Sequence, residues 1–314
     1  MQNQDGTVSP KRTKGDGTIY KVNLSWKVTP DAMIYGTVSK GFRPGGINRR
    51  STVADYAPDY LTNYEFGWKT TLAGGTLRFN GALYHQDWAK FQFSFLGPNS
   101  FTEIHNGPDA TIDGLETDIV WTPTKQFSLA VSGAYTDAKT KNNLCTFDGD
   151  TQADCSGTVT TYETLYDTGS PVLTPTDHQD FIAAPKGTRL PVTPKVKLSA
   201  NGRYTWDGEH KPYLQAVVAY QGSAPSDLRR AISQTFTGTI IDPNALQGEL
   251  PSFTTVDLAF GAEFATWTAE LYVDNLSDER AQTSRYIECG FCQQRPYAIV
   301  MPPRTVGVRI GTKF

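Results

Sequence analysis

The C-terminal run "RTVGVRIGTKF" admits few folds. Val306, Val308, Ile310 and Phe314 share one parity, while Thr305, Gly307, Arg309, Gly311 and Lys313 take the other. Side chains on a strand point alternately to opposite faces, so one face of this strand is apolar and the other carries charge. The same rule recurs upstream. Tyr20, Val22, Leu24, Trp26 and Val28 oppose Lys21, Asn23, Ser25 and Lys27. Val196, Leu198, Ala200, Tyr204 and Trp206 oppose Lys195, Lys197, Ser199, Asn201 and Arg203. The runs "FSLAVSGAY", "TTVDLAFGAEF" and "WTAELYVDN" obey it too. The expectation is an all-β, antiparallel chain.

A soluble β-sandwich also alternates. Strand length argues against it: runs of about ten to twelve residues are long for a sandwich and fit a tilted membrane strand. Trp26, Trp68, Trp121, Trp206 and Trp267 stand near run ends, where an interfacial aromatic girdle belongs. Hydrophobic content is 38%, and no window approaches the roughly 18 apolar residues of a spanning helix. Alternating barrel strands hide in such averages. The net charge of −3 argues against a nucleic-acid partner. The first residues lack the apolar core and cleavage site of a signal peptide, so export would need a signal upstream of Met1.

The pattern predicts about eleven strands, at 18–28, 32–41, 61–72, 76–93, 110–121, 127–138, 194–206, 213–222, 253–264, 267–276 and 304–314. Their connections alternate. Short ones carry turn residues, as in "TPD", "AGG", "PTKQ", "DGEH" and "AT", whose Pro, Gly and Asp set turn dihedrals. Long ones fall near 42–60, 94–109, 139–193, 223–252 and 277–303. An outer-membrane barrel has short periplasmic turns and long extracellular loops, and all ten connections fit one such orientation. Eleven is an odd count, whereas bacterial single-chain barrels are normally even. An open edge in lipid leaves backbone groups unpartnered at several kcal/mol each. The expectation is therefore about half of a plugged transporter barrel of roughly 22 strands, with further strands before Met1.

Four stretches carry a family resemblance: "YGTVSKGFRPGGIN" (Tyr35 to Asn48), "DGLETDIVWTP" (Asp113 to Pro123), "AELYVDNLSDERA" (Ala269 to Ala281) and "PRTVGVRIGTKF". In this order they resemble the C-terminal half of the barrel of TonB-dependent outer-membrane receptors, in the iron-complex branch. The resemblance implies active import of a scarce ligand, most of all an iron–siderophore complex, across the Gram-negative outer membrane. It implies energy from TonB–ExbB–ExbD through a plug and TonB box that this chain does not show. It also implies that Phe314 is the C-terminal signal read by the barrel-assembly machinery. Import of cobalamin or a saccharide stays open. So, from other classes, do a 12-strand autotransporter translocator, an outer-membrane phospholipase and a passive porin.

In such receptors the external loops gather the ligand. Arg43, Arg49, Arg50, Arg229, Arg230, Arg280, Arg285 and Arg295 lie in the expected loops, and a guanidinium fork suits an anionic chelate. Tyr286 and neighbouring aromatics offer stacking surfaces. The bland alternative is solvation, or contact with lipopolysaccharide phosphate. Cys145/Cys155 and Cys289/Cys292 are read as two local disulfides in an oxidising compartment. "CGFC" also admits a redox or zinc reading, though a thioredoxin-like context is missing. No nucleophile–base pair, P-loop or zinc-protease motif is present, so neither catalysis nor a resident cofactor or metal is expected.

Overall fold

The computed structural model describes residues 15–48, 54–96, 102–145, 155, 158–165, 172–179, 182–230, 232–233, 240–241, 248–286 and 297–312. Alternation turns into eleven long strands: β1 (Tyr20–Thr29), β2 (Ala32–Arg43), β3 (Asp59–Leu72), β4 (Leu77–Ala89), β5 (Ala110–Trp121), β6 (Phe127–Thr140), β7 (Val196–Thr205), β8 (Tyr213–Gln221), β9 (Phe253–Glu263), β10 (Trp267–Asp274) and β11 (Thr305–Thr312). They form one antiparallel sheet in sequence order. Among the described residues the helical content is a single 3-10 turn, Ala73–Gly75.

Register carries the alternation across the whole sheet. Leu24, Gly36, Phe66, Leu83, Leu115, Tyr135 and Val196 are successive cross-strand partners. Leu214, Phe260, Leu271 and Val308 continue the apolar face on the later strands. One residue over, Ser25, Tyr35, Gly67, Ala82, Glu116, Ala134 and Lys197 form a row on the opposite face. The apolar face is open: Leu24 is 78% exposed, Leu83 50% and Val308 67%. Soluble monomers rarely expose apolar patches larger than a few hundred Å². A β-sandwich would bury this face against a second sheet, so the sandwich alternative falls.

Connections obey the predicted rule. β1–β2, β3–β4, β5–β6, β7–β8 and β9–β10 join through turns of a few residues at one end of the sheet. At the β3–β4 turn, Ala73, Gly74 and Gly75 all have positive φ, of 51°, 64° and 93°. That geometry explains the "AGG" run. At the other end, the long connections carry small hairpins. Gln92–Leu96 pairs with Thr102–Asn106, Thr158–Leu165 with Val172–Gln179, and Gln282–Tyr286 with Tyr297–Val300.

The expected strand 76–93 stops early. Lys90 takes a positive φ of 50°, and its N–H donates to Asp109 Oδ1 at 2.9 Å. Phe91 then leaves the sheet and Gln92 begins a separate hairpin. The sequence kept its alternation through Phe91 and Phe93, so parity alone did not mark the break.

A buried apolar cluster gathers at the long-connection end. Phe91, Leu144, Leu190 and Leu228 pack with Ala110, Ala138, Ala183 and Ala184, flanked by Trp88, Phe93 and Ile112. Backbone bonds tie the connections together there: Leu144 N to Ala184 O at 2.7 Å, Thr140 N to Thr188 O at 3.0 Å and Val192 N to Pro225 O at 2.9 Å.

Candidate functional site

The long-connection end concentrates the packed loops and the predicted arginines. Its centre on the β2–β4 side is Asp59, 1% exposed. Burying a carboxylate is tolerable only with strong partners, and Asp59 has four donors. Arg43 Nε reaches Oδ1 at 3.1 Å and Oδ2 at 3.0 Å, and a second Arg43 nitrogen also contacts Oδ2. Trp88 Nε1 donates at 3.0 Å and the Gln92 N–H at 2.9 Å. The Arg43 guanidinium lies 5.2 Å from the Trp88 ring centroid and donates to Gln92 O at 3.0 Å.

The rest of "GFRPGGIN" serves the same clasp. Gly46 and Tyr56 exchange two backbone bonds of 3.0 Å. A Cβ on Gly45 or Gly46 would collide with Tyr56, which is why small residues stand there. Asn48 donates to Ala54 O and Ile104 O, each at 2.8 Å, and accepts from the Ile104 N–H at 2.8 Å. Asn106 answers from the hairpin, accepting the Ala57 N–H at 2.6 Å and donating to Ala57 O at 2.9 Å. The strand-to-loop motif thus locks the β2–β3 connection onto the 92–106 hairpin.

The predicted arginines divide. Arg43 is held by Asp59 and acts as a brace. Arg229 is buried, its side chain 4% exposed and paired with Asp227 at 2.8 Å. Arg285 is half-buried and bonds to Gln282. Arg280 is exposed and meets Asp278 at 3.3 Å. Arg230 is exposed, and its backbone N–H bonds to Ala183 O. Tyr286 ends a described strand. Arg49, Arg50, Arg295, Cys289, Cys292 and Phe314 lie outside the described residues. Cys145 and Cys155 are disulfide-bonded, 10 residues apart in sequence, and Cys145 adjoins Leu144 of the buried cluster.

"DNLSDER" makes a second clasp. Asn275 adopts a positive φ of 52°, is 5% exposed, and donates through Nδ2 to Glu279 O at 2.9 Å and Pro302 O at 3.1 Å. Its N–H donates to Asp257 Oδ1 at 2.7 Å. Asp278 accepts the Arg304 N–H at 2.9 Å, which holds its carboxyl below the usual carboxylate range, with Arg280 adding to the effect. This clasp joins β10 to the start of β11.

Sequence reasoning missed Asp59, Asn48, Trp88, Gln92 and Asn106. Most of their partners lie well outside one strand or turn, 56 residues away for Asn48 and Ile104 and 33 for Asp59 and Gln92, so no local pattern flags them. Among the described residues, no group of His, Cys, Asp and Glu is placed to hold a metal ion.

Several solved structures share this fold. The ferric yersiniabactin uptake receptor FyuA of Yersinia pestis aligns at TM-score 0.62 and 17% identity, over 92% of this chain and 36% of its own. The siderophore receptor PiuA of Acinetobacter baumannii aligns at 0.61 and 16%, over 93% and 35%. The pyoverdine outer membrane receptor FpvA of Pseudomonas aeruginosa PAO1, bound to pyoverdine, aligns at 0.59 and 15%, over 94% and 36%. The chain therefore spans about a third of the length of these receptors and forms a partial barrel. Residues 2–276 match the family described as "TonB dependent receptor-like, beta-barrel". With its antiparallel sheet, its one-sided loops and that match over most of its length, the chain belongs to the TonB-dependent receptor β-barrel family of the Gram-negative outer membrane.

Proposed function

We propose that this chain supplies barrel wall and ligand-gathering loops to a receptor that imports an iron–siderophore complex. In this reading the apolar face of the sheet meets lipid and the polar face meets interior water and the plug. The short turns are periplasmic and the long connections face the cell exterior. TonB–ExbB–ExbD energises import through a plug and TonB box, and the barrel-assembly machinery inserts the protein using Phe314. The observation that carries the reading is the one-sidedness of the loops. Five long connections meet at one end, braced by two polar clasps and a buried cluster, with Arg230 exposed beside them. An anionic ferric chelate fits cationic, planar donors on such a platform. The likeness to FyuA, a ferric yersiniabactin uptake receptor, PiuA, a siderophore receptor, and FpvA, a pyoverdine receptor, supports the same ligand class.

The test is radioiron uptake by cells whose sole such receptor is the full-length protein. Hydroxamate, catecholate and carboxylate ferric chelates are supplied with and without functional TonB. The expected result is TonB-dependent uptake of at least one chelate. Replacing Arg49, Arg50 and Arg230 together by Gln is expected to raise its half-saturating concentration about tenfold, a loss of about 1.4 kcal/mol. TonB-dependent uptake of cobalamin or a saccharide with no chelate transported would overturn the ligand class. Passive, TonB-independent permeation would overturn the mechanism.

A further inference from the structure

Two arginines mark the polar face near the short-turn end of the later strands. Arg203 lies two residues from the end of β7, and Arg309 three from the end of β11. Each sits on a tyrosine. The Arg203 guanidinium stands 3.6 Å from the Tyr213 ring centroid, and that of Arg309 stands 5.0 Å from the Tyr272 centroid. Each tyrosine lies directly across from a glycine, Gly261 and Gly307, where an added Cβ would run into the ring. The wall thus carries two three-layered stacks: bare backbone, phenol ring, guanidinium. A guanidinium held on an aromatic face is pre-organised, and the stacks raise both forks off the wall toward the barrel interior.

Glu270 joins the stacks. It accepts from the Tyr213 hydroxyl at 2.6 Å and pairs with Arg309. Its side chain is 16% exposed and that of Arg309 is 69% exposed, so the carboxylate holds one nitrogen of the Arg309 fork and leaves the rest to solvent. Arg203 meets no carboxylate or other acceptor among the described residues. Asp257, on the same face of β9, is engaged by the Asn275 N–H, and Glu263 lies beyond Gly261 at the end of that strand. The two stacks are two strands apart, about 10 Å at the usual strand spacing. An unfilled guanidinium fork suits a carboxylate or another paired-oxygen anion.

We infer that Arg203 and Arg309 form a transit site on the inner wall for the anionic oxygens of a ferric chelate. The chelate meets it after leaving the external loops and before reaching the periplasm. Rings of arginine serve anion-selective pores in the same way, where binding must be favourable enough to enter and weak enough to leave. Glu270 supplies the weakness, since it already takes part of the charge. The inference rests on the import reading and deepens it, because it assigns the imported chelate a negative charge.

The test measures radioiron uptake through the full-length protein in cells without other such receptors. The probes are ferric citrate, an anionic ferric tris-catecholate and an uncharged ferric tris-hydroxamate. All variants are first shown to insert by heat-modifiable gel mobility. R203Q/R309Q is expected to lower the maximal rate for the anionic probe that the wild type imports by about tenfold, the effect of one lost charge-assisted contact. The half-saturating concentration, and surface binding in TonB-deficient cells, stay unchanged, because the loops still gather the chelate. R203K/R309K gives an intermediate rate, since lysine supplies charge without the fork. An unchanged rate in inserted R203Q/R309Q overturns the site, as does equal slowing of an uncharged probe. A gain in killing by vancomycin, which an intact outer membrane excludes, overturns it too, by making the arginines props for the plug. So does wild-type import of the uncharged probe alone. Each of these results leaves the import reading standing. A wild type that takes up no probe overturns that reading, and the site with it.

Discussion

Asp59 shows how one buried carboxylate organises a surface. It accepts from Arg43, Trp88 and Gln92, which belong to two strands and a hairpin. The Arg43 side chain is 52% exposed and stays solvated without Asp59, so removing the carboxylate chiefly leaves the Trp88 Nε1–H and Gln92 N–H donors without their acceptor, at about 1–3 kcal/mol each. Asp59→Ala is therefore expected to release the 92–106 hairpin while sparing the strands. Hydrogen exchange should rise in residues 92–106 and stay protected in the middle of β3 and β4. Protection retained at 92–106 would show that the hairpin stands without the clasp. The same contacts recast Arg43. By residue type it looks like a ligand arm, yet its guanidinium faces Asp59 and the Trp88 ring, so Arg43→Gln should mimic Asp59→Ala more closely than it mimics loss of a loop arginine.

At the scale of strands, the polar face repeats a device. Tyr35, Tyr84, Tyr213 and Tyr272 each stand directly across from a glycine on the next strand: Gly67, Gly114, Gly261 and Gly307. A Cβ on any of these glycines would run into the tyrosine ring. The ring fills the space the glycine leaves, an aromatic cover over a bare backbone. Its hydroxyl then reaches a polar neighbour: Tyr35 donates to Glu65 at 2.8 Å and Tyr213 to Glu270 at 2.6 Å. Arg203 stacks 3.6 Å from the Tyr213 ring centroid. Gly67→Ala is expected to displace Tyr35 and destabilise the sheet by about 1–3 kcal/mol, the usual penalty of overpacking, measured by urea-dependent refolding into vesicles. With Tyr35→Ala already present, adding Gly67→Ala should cost much less, because the obstructing ring is gone. Additive losses would mean that the tyrosine does not cover the glycine.

Taken as a whole, the molecule is governed by its two faces. Leu83→Arg, in the middle of β4 on the apolar face, is expected to cost about 2–4 kcal/mol in the same refolding measurement. Glu116→Arg, on the polar face of the neighbouring strand, should change stability far less. Equal losses would contradict lipid on one side and water on the other. This level of organisation was readable from the sequence, because period-two alternation is local and survives without knowledge of partners. Ten of the predicted strands appear within a few residues of their expected ends, and the turn "AGG" matches its positive φ angles. The candidate site was far less readable. Arg229 looks like any loop arginine until Asp227 and the packed connections bury it, and Lys139 looks like a strand-end charge until Asp137 and Lys195 gather round it. Those facts depend on chain segments meeting in space, which no run of residues announces.

The register, unbroken from β2 to β11, also limits how such a chain can change in length. Adding or deleting a single residue inside a strand would exchange the environments of every side chain beyond that point, turning leucines toward water and glutamates toward oil. The excursions between strands carry no such constraint, since a shift there leaves both flanking ladders in phase. Epitope tags and natural length variation should therefore be tolerated in the stretches around residues 146–154 and 287–296, while one-residue insertions in β4 or β9 abolish assembly.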